Sequence, residues 1–83
     1  MSKKQKLLRQ ILNNQKNVSF PDLVSLVKSF GFTLSRVSGS HHIFTHPDIP
    51  NLVNIQDVKG KAKPYQVRQF LNLVEIHNLT LED

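Results

Sequence analysis

Residues 32–46 read FTLSRVSGSHHIFTH, and this stretch decides the fold that the sequence predicts. Its first six residues alternate in polarity, which places Leu34 and Arg36 on one face and is typical of a strand. Ser38-Gly39-Ser40 predicts a turn. The segment His41–His46 is rich in β-branched and aromatic residues and predicts the returning strand. We therefore expect an antiparallel hairpin at the centre of the chain.

Three predicted helices flank this hairpin. Each has apolar residues at helical spacing and a start signal, which is Ser2 for the first, Ser19 for the second and Pro64 for the third. Gly31 predicts the end of the second helix. We expect helices at 3–13, 19–30 and 64–77, strands at 32–37, 41–46 and 52–56, a turn at 47–51 and a polar loop at 57–63.

Without its first helix, the predicted order is α-β-β-β-α. This order resembles the double-stranded-RNA-binding-domain (dsRBD) type of α+β fold, in which two helices cover one face of a three-stranded antiparallel sheet and the other face stays open. We expect the N-terminal helix and linker to occupy residues 1–17 and the dsRBD-like domain to occupy residues 18–83.

Composition limits the possible functions. The chain has 83 residues and a formal net charge of +5, and its first 72 residues hold eleven basic against three acidic residues, a net +8. Such a surface attracts polyanions such as RNA, although a basic surface that only confers solubility explains the charge equally well.

Other classes are excluded or disfavoured. The absence of cysteine excludes disulfides, thiolate catalysis and cysteine-based zinc sites. No run approaches the ~20 apolar residues that a membrane-spanning helix needs, and the N-terminus lacks the apolar stretch of a signal peptide. We expect a cytoplasmic protein that has no membrane partner.

Three of the four histidines lie within six residues. An imidazole exchanges protons near neutral pH, and RNA cleavage requires little besides a base, because the nucleophile is the substrate's own 2′-hydroxyl. Strand alternation puts His41 with Ile43, and His42 and His46 with Phe44. If Phe44 is the core residue, His41 lies on the open face; if Ile43 is buried, the assignment reverses.

Two other interpretations of these histidines exist. All three are consistent with ordinary surface residues. A metal site formed by His41, His42 and His46 is less consistent with the pattern, because adjacent side chains on a strand point apart, and we expect no metal.

Basic residues near the hairpin are candidates for phosphate contacts. Lys59, Lys61 and Lys63 are spaced by two before a helix N-terminus, as suits a phosphate clamp. Arg36 precedes the hairpin turn, where it suits stabilisation of charge on a reacting phosphate. A solvated loop explains the lysines equally well.

The segment Gly39-Ser40-His41-His42-Ile43-Phe44 resembles the signature of the HicA family of bacterial toxins. That signature is Gly-Ser-His, two variable positions and an aromatic residue, on the second strand of a dsRBD-like fold. Gly39, Ser40, His41 and Phe44 match it position by position, and the resemblance extends over residues 19–79.

The resemblance implies a metal-independent mRNA endoribonuclease without a cofactor, silenced by a HicB-type antitoxin. It implies that His41 is catalytic, with His42 as the second choice, and that Gly39 and Ser40 lie against the RNA. Two rival functions remain: a non-catalytic RNA- or DNA-binding module, and a partner-docking domain that uses the open face around Ile43.

Overall fold

A computed structural model describes residues 2–82 of the chain. Within these residues, four strands form one antiparallel sheet in the order β1-β2-β3-β4. The α+β class is confirmed, and so is the order of helix, strands and helix after an extra first helix; the sheet has four strands where three were predicted. The elements are α1 (Lys3–Asn13), α2 (Phe20–Ser29), β1 (Thr33–Ser38), β2 (His41–His46), β3 (Ile49–Val58), β4 (Lys61–Ala62) and α3 (Pro64–Ile76).

The helices begin where the sequence signals predicted. The Ser2 hydroxyl accepts a hydrogen bond from the Gln5 backbone at the start of α1, and the Ser19 hydroxyl accepts one from Asp22 at the start of α2. These bonds satisfy backbone N–H groups that the first turn of a helix leaves free. Gly31 follows the end of α2 with a φ of +95°, as expected of a residue that stops a helix.

The helices cover one face of the sheet and form the core with it. Phe44 and Ile55 point to this face and are completely buried. Phe70 of α3 stands edge-on to Phe30, with ring centroids 5.8 Å apart. Ile11 is only 3% exposed, so α1 also contributes to this core. The boundary at residues 17 and 18 stays a prediction.

The first strand differs from the predicted alternation. A bulge between Leu34 and Arg36 interrupts the pairing with β2, so Leu34 pairs with Phe44 and Arg36 with Ile43. An extra residue shifts the side chains that follow it to the other face. The prediction that Leu34 and Arg36 share a face is therefore wrong, and Arg36 lies on the open face with Ile43.

The third strand is longer than predicted. The turn before it contains only Pro47 and Asp48, and the strand begins at Ile49, so the expected turn at 47–51 is wrong. Pro50 lies in a part of β3 beyond the reach of β4, which pairs only near the other end. Proline is tolerated at such an edge, because no other strand of the described residues pairs with that side of β3 there. The N–H group that proline lacks is therefore not needed for a hydrogen bond between strands.

A fourth strand replaces part of the predicted polar loop. β3 continues to Val58, turns through Lys59 and Gly60 and pairs with the two-residue β4. Both turn residues have positive φ, +53° and +84°. This is the backbone form of the two-residue turns that close hairpins. Lys59 adopts it although lysine carries no such preference, which is why the sequence did not predict it.

Candidate active site on the open face of the sheet

His41 begins β2 and lies on the face of the sheet opposite the helices. Phe44 is completely buried, whereas Ile43 is only half-buried, so the alternative in which Ile43 is the core residue is wrong. Alternation along β2 then places His41 with Ile43 on the open face. His41 is half-buried there, a position that holds the ring while leaving it in reach of a substrate.

A hydrogen bond to the neighbouring strand orients the His41 ring. Its Nδ1 lies 3.0 Å from Oδ1 of Asn54 on β3. An amide oxygen can only accept, so Nδ1 carries the proton and donates it. In the neutral ring, Nε2 is then left as the proton acceptor.

Asn54 is the site residue that the sequence analysis missed. It pairs with Ile43 in the β2–β3 ladder, two pairs along from the pair formed by His41 and Gln56. It therefore lies on the open face, diagonally from His41, and it is exposed. Alternation along the predicted third strand gave a signal for its face. The register of pairing between β2 and β3, which brings Asn54 close to His41, did not follow from the sequence.

His42 points to the other side of the sheet. Its ring packs edge-on against Phe20 of α2 with centroids 4.7 Å apart. Its Nδ1 lies 3.3 Å from the carbonyl oxygen of Ser40 and donates to it. His42 thus links the hairpin to α2, and the structure does not bring it together with His41 on one face.

His46 has both ring nitrogens engaged in local structure. The Asp48 backbone N–H donates to its Nδ1 over 3.1 Å, so Nε2 carries the proton and donates to the Phe30 carbonyl, also over 3.1 Å. The ring also packs edge-on against Phe32. Among residues 2–82, no three histidine or acidic side chains come together in a way that could hold a metal ion.

The turn between β1 and β2 lies beside His41. Ser38 pairs directly with His41, and the Ser40 carbonyl accepts a hydrogen bond of 3.1 Å from the Asp57 backbone. Gly39 has a φ of +60°, and a side-chain Cβ there would meet no atom within 4 Å. Gly39 is therefore required by its backbone conformation, and its surroundings are open to a large ligand.

Arg36 lies on the same face as His41, two residue pairs further along the β1–β2 ladder. It is exposed and opposite Ile43. Diagonal neighbours in antiparallel strands are about 7–8 Å apart, a separation that an arginine side chain can span. The bulge creates this arrangement, because without it Arg36 would face the helices.

The three candidate lysines lie at the end of the sheet that carries the β1–β2 turn. The Lys61 ammonium donates to Oδ1 of Asn17 over 2.9 Å. Lys63 precedes α3, and its ammonium lies 6.0 Å from the centre of the Tyr65 ring. Lys59 is exposed in the β3–β4 turn. The ring of His41 is oriented by its hydrogen bond to Asn54 and not by these lysines.

A side chain of α3, that of Gln66, hydrogen-bonds the backbone at the edge of β3 next to the site. Gln66 of α3 is 5% exposed, and its Oε1 accepts a hydrogen bond of 2.7 Å from the Gln56 backbone. Its amide nitrogen donates to Oε1 of Gln56 over 3.1 Å. α3 thereby holds the residue that pairs with His41, a contact for which the sequence carried no signal.

Comparison with known families identifies the family of the chain. A family model described as the HicA toxin of bacterial toxin–antitoxin matches residues 20–76. The chain belongs to the HicA family. A search of curated proteins gave no match.

The HicA match runs from the start of α2 to the end of α3 and contains the hairpin, Asn54 and the three lysines. It leaves out α1, which is an addition to the matched domain. As a HicA toxin, the chain is the toxin component of a toxin–antitoxin system and has an antitoxin as its partner. In the described part of the chain, no helix is long and apolar enough to cross a membrane.

Proposed function

We propose that this HicA toxin is an endoribonuclease that cuts mRNA without a metal ion, with His41 as its general base. The observation that carries the proposal is the hydrogen bond between His41 Nδ1 and Asn54 Oδ1. It leaves Nε2 of a neutral imidazole as a proton acceptor on the open face. A base needs to be held in hydrogen-bond reach of the proton that it removes.

The reaction follows from this acceptor. Nε2 takes the proton of a ribose 2′-hydroxyl, and the resulting oxygen attacks the adjacent phosphorus. The bond from phosphorus to the 5′-oxygen breaks, and that oxygen leaves with a proton from the imidazolium or from water. The products are a 2′,3′-cyclic phosphate and a 5′-hydroxyl end. No oxidant, metal or cofactor is needed, because the substrate supplies the nucleophile.

The neighbouring cations support phosphate binding. Arg36 lies diagonally from His41 on the same face, where a guanidinium can donate two hydrogen bonds to phosphate oxygens. Gly39 and Ser40 form the adjacent turn, and Lys59, Lys61 and Lys63 lie at the same end of the sheet. We assign these six residues to RNA binding. His42 is the second choice for the catalytic group, and its contact with Phe20 favours a packing role instead.

The antitoxin that fits this proposal is a HicB-type protein that covers the open face and blocks His41. The mRNA substrate places the toxin in the cytoplasm. An acidic partner surface would complement the exposed Arg36 and the basic end of the sheet.

Cleavage of end-labelled mRNA in excess EDTA tests the proposal. The parent protein should cut the RNA and leave cyclic-phosphate ends, and His41→Ala should lose about 10²–10⁴-fold in rate, the usual contribution of a general base. The matched control is His77→Ala, which changes a half-buried histidine after α3 and should cut at the parent rate. Salt-sensitive binding without cleavage by the parent would contradict the proposal and indicate a non-catalytic RNA-binding module.

A further inference from the structure

The polar linker between α1 and α2 forms a cleft with the first turns of α3. The cleft has a volume of about 550 Å³, within the usual range of small-ligand sites, about 300–1,000 Å³. It lies outside the face that carries His41. Its lining combines an apolar wall, a run of amides and two cations, namely Leu12, Asn13, Asn14, Gln15, Lys16, Pro64 and Arg68.

The composition of this lining fits one nucleotide of an RNA strand. Lys16 and Arg68 are exposed cations, and none of the acidic residues within 2–82 lines the cleft. Leu12 is 50% exposed although it is a large apolar residue, so it offers a surface for the flat face of a base. The amides of Asn13 and Gln15 are of the type that donates to and accepts from base edges.

A cleft elsewhere on the protein differs from this one in its charge. The cleft at the opposite end of the sheet has a volume of about 340 Å³ and is lined by Asp48 and Glu82. Those carboxylates would repel a phosphate. The cleft at Lys16 and Arg68 therefore has the electrostatic character that RNA requires.

The cleft lies close in the chain to the lysine-bearing segment, because Pro64 in its lining directly follows Lys63. The Ala62 backbone donates to the Val18 carbonyl over 2.9 Å, and Lys61 donates to Asn17. The linker therefore runs beside β4 and joins the lysine-bearing segment to the cleft. A strand that leaves the lysines of this segment can follow the protein surface to Lys16.

We infer that this cleft is an accessory RNA subsite, which binds a nucleotide of the same RNA strand at a distance from the cut. The inference rests on the proposed function, because it needs RNA as the ligand. It gives α1, which the family match leaves out, a binding role in addition to its contribution to the core.

Fluorescence anisotropy with labelled 2′-O-methyl RNA of increasing length tests the inference. This RNA lacks the nucleophilic hydroxyl, so binding is measured on the parent protein without cleavage. The parent should gain affinity when the RNA becomes long enough to reach the cleft. Lys16→Ala combined with Arg68→Ala should abolish that gain, and the salt dependence for long RNA should fall by about 0.7 in slope per lost phosphate contact.

Two further variants make the test specific. Lys3→Ala combined with Lys6→Ala removes the same charge from exposed positions of α1 outside the cleft, and it should keep the length-dependent gain. Leu12→Ser should weaken the binding of long RNA without a change in salt slope, because it removes apolar contact and no charge.

The outcomes separate the subsite from the proposed function. Equal losses in the two double variants would overturn the subsite and indicate attraction by net charge alone. Unchanged binding in the Lys16 and Arg68 variant would also overturn it, while cleavage by the parent would leave the ribonuclease intact. If the parent bound no RNA of any length, both proposals would fail.

Discussion

Oδ1 of Asn54 accepts a hydrogen bond from Nδ1 of His41 over 3.0 Å, between neighbouring strands on the open face of the sheet. This contact joins a residue of the family signature to one that no sequence pattern singled out. It determines which nitrogen of the imidazole is free to take a proton.

Replacement of Asn54 by Leu should slow RNA cleavage about fivefold, because a net hydrogen bond of about 1 kcal/mol corresponds to about that factor in rate. Asn54→Asp keeps an acceptor oxygen and should restore most of the rate. The measurement is single-turnover cleavage under saturating protein. A Leu variant that cut as fast as the parent, or an Asp variant as slow as the Leu variant, would contradict a positioning role.

Alanine at His41 and at His42 should produce opposite effects. His41→Ala should remove cleavage and change the free energy of unfolding by no more than about 1 kcal/mol, the net value of its hydrogen bond to Asn54. His42→Ala should lose the edge-on contact with Phe20, which costs about 0.5–1.5 kcal/mol, and should retain cleavage. Urea unfolding and the cleavage assay, carried out on the same preparations of both variants, show which histidine is catalytic and which one packs in the fold. Loss of cleavage in His42→Ala alone would make His42 the catalytic residue.

Gln66→Leu should destabilise the protein by about 1–3 kcal/mol, because it leaves the Gln56 backbone N–H without the acceptor that it has in the native fold. Gln66→Glu keeps an oxygen at the same place and should cost less. Chemical denaturation measures both values, and Gln69→Leu serves as a control at an exposed position of the same helix. Equal stability of the Gln66→Leu and Gln69→Leu variants would show that closure of the β3 edge is unimportant.

The N-terminal helix should be part of the cooperative folding unit. Ile11 is 3% exposed and Leu12 is 50% exposed, so Ile11→Ala should cost about 2–5 kcal/mol, whereas Leu12→Ala should cost less than about 1 kcal/mol. Both variants should unfold in a single transition by circular dichroism. Equal stability of the two, or a separate early transition for α1, would instead support an independent N-terminal segment before residue 18.

Local signals predicted the helices and the central hairpin well. Ser2, Ser19 and Pro64 specify helix starts through bonds or backbone angles within a few residues, and Gly31 ends α2 in the same local way. The second strand, His41–His46, has the predicted bounds because its alternation and the turn before it are both local. Such features depend on the backbone near each residue and are visible in sequence.

The predictions of strand bounds and faces were wrong where the conformation depends on contacts with residues distant in the sequence. The bulge before Arg36 depends on how β1 pairs with β2, and the extension of β3 through Pro50 depends on the absence of a neighbour at that edge. β4 has two residues, too few for any periodic pattern, and it exists because the turn at Lys59 and Gly60 returns the chain to β3. The bulge, the extension of β3 and the formation of β4 therefore do not follow from the local sequence of these segments alone.

The sequence by itself determined the order of the predicted elements, the basic charge and the HicA signature at Gly39–Phe44 that makes His41 a candidate, because these depend on residue identity and short-range spacing. Only the tertiary structure decided that Phe44 is buried, that Asn54 orients His41, that Arg36 joins them and that His42 packs against Phe20. These relationships depend on strand register and on which face the helices cover. Both are set by the packing of the whole core, and a shift of one residue reverses every face.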